Sequence, residues 1–373
     1  MSKRCTPPFR ADHVGSLIRP DALIAAREAA ERHEITPAAL ARIQEGAIGD
    51  VVRLQEEIGF KLATDGEFNR GSWQRDFLLK LDNVRLIPSR LTVRFHSAAG
   101  TRDHSPPSMQ VTGKLARANA IFVEDFRFLN SVAQAMPKVT IPSPTVLHFR
   151  GGRAAIDAQA YPDIEEFYAD LARVYREEIA ALAHAGCRYL QIDEVNLAYL
   201  CDPALRAEVA TIGEDPGVLP AIYAKLLNDA IASRPRDMTV CLHLCRGNFA
   251  GAWIAEGGYD PIADLLFNAI DVDGYFLEYD SPRAGSFAPL RFLPSGKVAV
   301  LGLVTTKSAR LETGDELKRR IEEASRHVPI EQLCLSPQCG FSSGIGGNAM
   351  TVEEEVAKLR LVVETAREVW GSP

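Results

Sequence analysis

A chain of 373 residues that is 46% hydrophobic can bury a large core, as one big domain or two modest ones. Its 42 basic and 49 acidic residues leave a formal charge of −7 with no Lys/Arg run, which argues against a nucleic-acid or anionic-membrane partner. No apolar leader opens the sequence and no stretch of roughly 18 apolar residues occurs, so a soluble, cytoplasmic protein is expected.

Along the chain, short β-rich runs alternate with long amphipathic ones. Strands are predicted at 9–15 (FRADHVG), 59–65 (GFKLATD), 138–143 (KVTIPS) and 186–193 (GCRYLQID). Four more follow at 238–245 (MTVCLHLC), 273–280 (DGYFLEYD), 297–304 (KVAVLGLV) and 331–338 (EQLCLSPQ). Helices are predicted over 37–59, 164–186, 313–328 and 351–370. In the first, Ile43, Ala47, Ile48, Val51 and Leu54 keep a 3/4 spacing, and Thr313 with Glu316 reads as a cap of the third. Eight strand–helix units make an α/β, (β/α)8 TIM barrel the economical fold, a single catalytic domain over 1–373. The stretch after the second strand is too long for one βα connection. VRLIPSRLTVRF (84–95), with Pro88-Ser89 at its centre, reads as a β-hairpin within an insertion over about 78–130. A doubly wound sheet is the second choice of fold, and the absence of G-x-G-x-x-G after the first strand counts against it.

In barrels of this kind chemistry sits at the C-terminal ends of the strands. Read in order, those ends supply His13 and Ser16, then Asp65 and Glu67, then Ser143 and His148, then Asp193-Glu194. They continue with His243 and Cys245, Glu278, Thr305-Thr306-Lys307 and Gln338-Cys339-Gly340. His243 and Cys245 stand on alternate positions of one strand and therefore point the same way. His243, Cys245, Glu278 and Cys339 form the best fourfold ligand set, and two thiolates with an imidazole select zinc over magnesium or calcium. Zinc lowers the pKa of a bound thiol, so the chemistry suggested is alkyl transfer onto sulfur. Seven cysteines, an odd number in a long chain, fit free thiols or ligands better than a disulfide framework. Cys187, Cys241 and Cys334 read as core. Plainer roles are open to several others: Glu67 and Asp193 as helix caps, His13 and Ser16 as turn residues, Trp73 as packing and Lys307 as a solvated loop residue.

The segments RADHVGSLIRP, ATDGEFNRGSWQRDF, GCRYLQIDE, HLCRGNF, FLEYD and LCLSPQCGFSS run in order from about residue 8 to the C-terminus. Together they resemble the cobalamin-independent methionine synthase family, and more closely the short single-barrel homologues of that enzyme's C-terminal half. The resemblance implies one zinc ion (Zn2+) per chain on His243, Cys245, Glu278 and Cys339, activating the thiol of homocysteine for methylation to methionine. It also implies that Val14, Gly15, Ser16, Glu67 and Asp193 hold the amino-acid end of homocysteine.

The sequence departs from the family at the donor side. GLVTTKSARLE lacks the His that the full-length enzyme carries in a D-x-H-S motif after strand 7, and TVLHFRG offers His148 or Phe149 where a Trp stacks on folate. The resemblance is to the C-terminal half alone and does not extend to the N-terminal half that helps bind the folate tail. The donor, methylfolate or methylcorrinoid, is thus expected to meet residues drawn from His13, Trp73, His148, Phe149 and Lys307. The alternative function is zinc-dependent alkyl transfer to another thiol, as in epoxyalkane:coenzyme M transferases. A more remote one is a lyase like uroporphyrinogen decarboxylase, which leaves the His-x-Cys motif unexplained.

Overall fold

A computed structural model describes residues 4–88, 93–97, 100–104 and 107–373. Its strands, in chain order, are β1 (Leu62–Ala63), β2 (Val84–Ile87), β3 (Val93–Ser97), β4 (Gly100–His104), β5 (Ser108–Val111) and β6 (Met136–Pro137). They continue with β7 (Val139–Pro142), β8 (Tyr189–Asp193), β9 (Thr239–Leu244), β10 (Gly274–Glu278), β11 (Val298–Val304) and β12 (Leu333–Pro337). Strands β7 to β12 lie side by side in sequence order and every pair is parallel. Long helices intervene, among them Ile164–His184, Leu219–Ile231 and Gly314–Ser325, as parallel crossovers require. All residues of β8 and of β10 to β12 are buried, which is why these strands read as unbroken apolar runs rather than alternating ones.

Both edges of this sheet are extended by short contacts. β1 pairs in parallel with β6, and the Lys138 N–H continues that pairing by donating to Ala63 O at 2.9 Å. At the other edge Ala11 forms a parallel bridge to Leu335 of β12. The segment that follows reaches β1: the Thr64 hydroxyl donates to Gly15 O at 2.7 Å, and the Leu17 N–H donates to Gly66 O at 3.1 Å. The expected first strand is reduced to this bridge because Asp12 diverts its backbone donors. The Asp12 carboxylate accepts from the N–H of Phe9 and His13, and also from Lys138 Nζ and Tyr189 Oη.

The predicted helices are found at Pro37–Ile58, Ile164–His184, Gly314–Ser325 and Val352–Trp370. Thr313 and Glu316 close a reciprocal capping box, as do Thr351 and Glu354. On Pro37–Ile58 the buried stripe runs through Ile48, Val51, Val52, Gln55 and Ile58, so Ile43 falls on the exposed side. Gln55 earns its burial through bonds to the backbone of Val51 and Thr64. The hairpin expected across Pro88-Ser89 is not formed as predicted, and Ser89 itself lies outside the described residues. β2 pairs antiparallel with β5, and β3 pairs antiparallel with β4. The two halves of the motif thus belong to different two-stranded pairs.

Candidate active site

Three predicted ligands converge. His243 near the end of β9, Cys245 just past it and Cys339 two residues beyond β12 place their ligand atoms within 4.8 Å of one another, all buried. Neither ring nitrogen of His243 has a hydrogen-bond partner among the described residues. An imidazole left unsatisfied in a buried site is costly unless something else engages it. The Cys245 thiol leans on Cys339, which holds the Cys339 thiol well below its ordinary pKa and pushes Cys245 well above it. Burial alone would lower the pKa of His243, but the adjacent Cys339 sulfur, Asp193 and Glu278 raise it. The cluster therefore concentrates soft donors and negative charge in one buried place, the donor set of a metal site.

Glu278 does not join that group. In register it follows the pair Leu277↔Leu244, which sets it beside Cys245. Its Oε2 accepts from the Arg246 N–H at 2.8 Å, and its Oε1 accepts from Arg283 Nη2 at 2.8 Å and Nε at 3.1 Å. Lys307 Nζ lies 3.7 Å from the same oxygen, with its side chain largely buried. Burial alone would raise the Glu278 pKa, but the Lys307, Arg246 and Arg283 cations outweigh it and hold the carboxyl at about 2. Lys307 is thus no solvated loop residue: it is a buried neighbour of Glu278.

Above the sulfurs opens a cavity of about 490 Å³. Val14, Ser16, Glu67, Asp193, Trp73 and the three convergent ligands line it. Glu67 sits at φ 61° in the tight turn Asp65-Gly66-Glu67, which the Asp65 side chain stabilises by accepting from the Glu67 N–H at 2.9 Å. Glu67 Oε1 accepts from the Thr140 hydroxyl at 2.9 Å, whereas its buried Oε2 has no partner among the described residues. Burial raises the pKa of Glu67 and carries Asp193 up to about 7. Among the described residues the N–H groups of Gly15 and Ser16 donate to nothing. Ser16 Oγ would lie only 1.9 Å from a Cβ at position 340, which explains why glycine follows Cys339.

Three donor-side expectations are corrected. His13 is buried edge-on against Phe60 and does not line the cavity; burial, seconded by Lys138, lowers its pKa to about 3. His148 sits on the short helix Val146–Phe149 with Nδ1 2.9 Å from Tyr223 Oη and Nε2 3.1 Å from Tyr168 Oη, a satisfied core histidine. Phe149 packs behind Tyr199, and it is Tyr199 that reaches the cavity. Sequence reading missed Tyr199 and Arg150 on this wall, and Arg75 lines the same cavity. A Gly-rich segment, SSGIGGNAM (342–350), follows Cys339. That segment lines the cavity and is pinned by Arg19, whose guanidinium donates to Ser342 O, Gly344 O, Glu67 O and Arg70 O.

Known proteins resemble this chain over nearly its whole length. Bacillus subtilis "Uncharacterized protein YxjH" is 44% identical over 370 residues, 99% of this chain and 96% of that one. A Listeria monocytogenes structure, provisionally described as a vitamin-B12 independent methionine synthase, is 37% identical with TM-score 0.78 and covers 99% of this chain and 100% of that one. A B12-independent methionine synthase from Shewanella sp. W3-18-1, solved with selenomethionine, has the same fold at TM-score 0.71 and 18% identity, covering 96% and 97% of the two chains. The family profile described as "Cobalamin-independent synthase, Catalytic domain" matches residues 9–368, and the chain belongs to that family, whose members are methyltransferases of the methionine synthase type.

Proposed function

We propose that this protein is a zinc-dependent methyltransferase that converts homocysteine to methionine. One observation carries the reading: a buried His243/Cys245/Cys339 cluster lies at a cavity that also exposes Glu67 and Asp193. Three protein ligands suit a catalytic rather than a structural zinc. Glu278, the fourth ligand implied by family resemblance, is held by Arg283 in this arrangement, one residue's reach from Cys245. A zinc ion on these residues would supply a Lewis acid that keeps a thiol ionised near neutral pH.

The chain's own groups do the positioning. The unpartnered Glu67 Oε2 and Asp193 suit the ammonium of an amino acid, and the Ser16 hydroxyl with the idle N–H groups of Gly15 and Ser16 suits its carboxylate. Val14 completes that end as an apolar wall. Held there, the substrate sulfur uses its electron pair to form the S–CH3 bond as the donor's bond to the same carbon breaks, and the donor keeps that pair. The donor is methylfolate or methylcorrinoid. The selenomethionine bound by the Shewanella protein supports a methionine-shaped site in this fold. We read the sheet, with its edges extended through Ala11 and β1, as a closed (β/α)8 barrel forming one domain over 1–373 with an insertion at about 78–130, and the protein as cytoplasmic. No described helix is long and apolar enough to cross a membrane.

The test is metal analysis with calorimetry on the full chain. One zinc per chain is expected, lost in Cys245→Ala, with homocysteine binding only to zinc-loaded protein and releasing a proton. Metal-replete protein without zinc sinks the proposal, and zinc that ignores homocysteine transfers the activity to another thiol.

A further inference from the structure

Four arginines are buried among the described residues, and each has its charge accounted for. Arg10 donates to Glu331 O and Leu333 O, and Arg19 to four carbonyls. Arg70 pairs with Glu67 and Thr140, and Arg246 is held by Gly257 O, Tyr259 Oη, Glu278 O and Ala284 O. Arg150 differs. It lines the cavity beside Tyr199, partly exposed, yet among the described residues its guanidinium makes no hydrogen bond and no ion pair. None of the residues outside the described set is acidic, so no carboxylate is left to pair with it. Arg75 on the rim of the same cavity is likewise without a side-chain partner among the described residues. Burial weighs against the Arg150 charge and lowers its pKa, opposed only by the Tyr199 phenol and by no carboxylate.

We propose that Arg150, with Arg75 at the rim, forms an oxyanion subsite that takes a carboxylate or phosphate group of the methyl donor. The assignment to the donor rests on the functional reading above, in which the acceptor's two charged ends are met by Ser16, Glu67 and Asp193. A guanidinium presents a rigid fork of donors that matches a carboxylate or phosphate two bonds at a time. Lining the cavity without a counter-charge, it favours an anionic ligand over its neutral analogue. Around it the wall is apolar and aromatic, through Val195, Tyr199, Phe95 and Ile254. The subsite therefore fits a flat or apolar body carrying an anionic group.

Benzoate and its neutral isostere benzamide are the probes, titrated into zinc-loaded full-length protein by ligand-observed NMR, with phenyl phosphate as the second anion. Wild type is expected to favour benzoate over benzamide by about tenfold or more. R150Q should abolish the preference while keeping its zinc content and thermal midpoint, R150K should restore part of it, and R75Q should weaken it less. Equal binding of the two probes by wild type, or a preference that survives in correctly folded R150Q, overturns the subsite. Saturating homocysteine separates the sources: benzoate that still binds supports the donor, and benzoate that is expelled overturns that assignment by giving Arg150 to the acceptor. If homocysteine itself never binds the zinc-loaded protein, the methionine synthase reading fails, while the benzoate preference still reads out Arg150 alone.

Discussion

The sulfur-bearing floor of the cavity and the wall opposite it are built differently. His243, Cys245 and Cys339 stand at or just past the ends of parallel strands, buried apart from Thr239, whose neighbours fix them in register. Opposite, Trp73, Phe249 and Ile345 stand on loops and turns, Arg75 opens the one-turn helix Arg75–Leu78, and Phe249 is 64% exposed. These loops are tied to one another and to the strand ends by side-chain and backbone bonds, Arg19 holding Ser342 and Gly344 among them. Asn348 accepts from the Gly251 N–H and donates to Thr306 O, Asn248 donates to Gly340 O, and His96 and Trp253 exchange backbone bonds. A scaffold that fixes the chemistry while loops choose the second substrate is the division expected at the C-terminal face of a parallel sheet. It also locates change: the donor side can vary without disturbing thiol activation.

The largest effect that tests this division is loss of a ligand. Cys339→Ala is expected to weaken zinc binding by more than about a hundredfold, since changes merely behind ligands cost 10- to 100-fold, and activity should fall with it. Phe249→Ala should leave zinc content unchanged and alter only the donor's KM. If both variants lose zinc, floor and wall are one coupled unit and the division is wrong.

A smaller effect sharpens the floor itself. Glu67→Gln keeps the shape of the side chain but removes the charge offered to an ammonium. Zinc content should persist while homocysteine affinity drops about tenfold or more. Gly340→Ala should act in the same direction, because its Cβ would collide with Ser16 Oγ. An unchanged homocysteine affinity in both would remove the acceptor's polar end from this corner.

The floor was legible because strand periodicity is short-range and strict. Alternation alone put His243 and Cys245 on one side, and a second Cys before a Gly at another strand end completed the cluster. Glu278 was placed correctly along the chain, but not its salt bridge to Arg283, because a side chain's choice of partner is not periodic. The wall was legible only at Trp73. Whether His148 faces a cavity depends on the short helix Val146–Phe149 and on Tyr168 and Tyr223, 20 and 75 residues away. Arg150, two positions on, is the residue that reaches the cavity, and nothing in HFRGG distinguishes the two. The hairpin across Pro88-Ser89 failed for a related reason: β2 finds its partner in β5, 24 residues further on, rather than across the nearest turn.

The mildest prediction separates wall from support. His148 and His13 are both sequence candidates for donor contact that the structure places behind the cavity, neutral and buried. Burial foremost holds His148 at about 4, with Glu214 at 3.6 Å opposing, and His13 at about 3, against about 6.5 when unfolded. Below pH 6.5 the unfolded chain therefore takes up protons that the folded protein refuses, so stability falls as pH drops from 6.5 towards 4. Each histidine contributes up to about 1.4 kcal/mol per pH unit in that window. Urea unfolding at pH 7.5, 6 and 5 should show this slope, and His148→Gln should make it shallower by one proton. At pH 8 the same variant should leave the donor's KM alone, because the ring bonds only to Tyr168 and Tyr223. An unchanged slope would mean that His148 is already charged in the folded state, paired with Glu214, and a shifted KM would return it to the wall of the site.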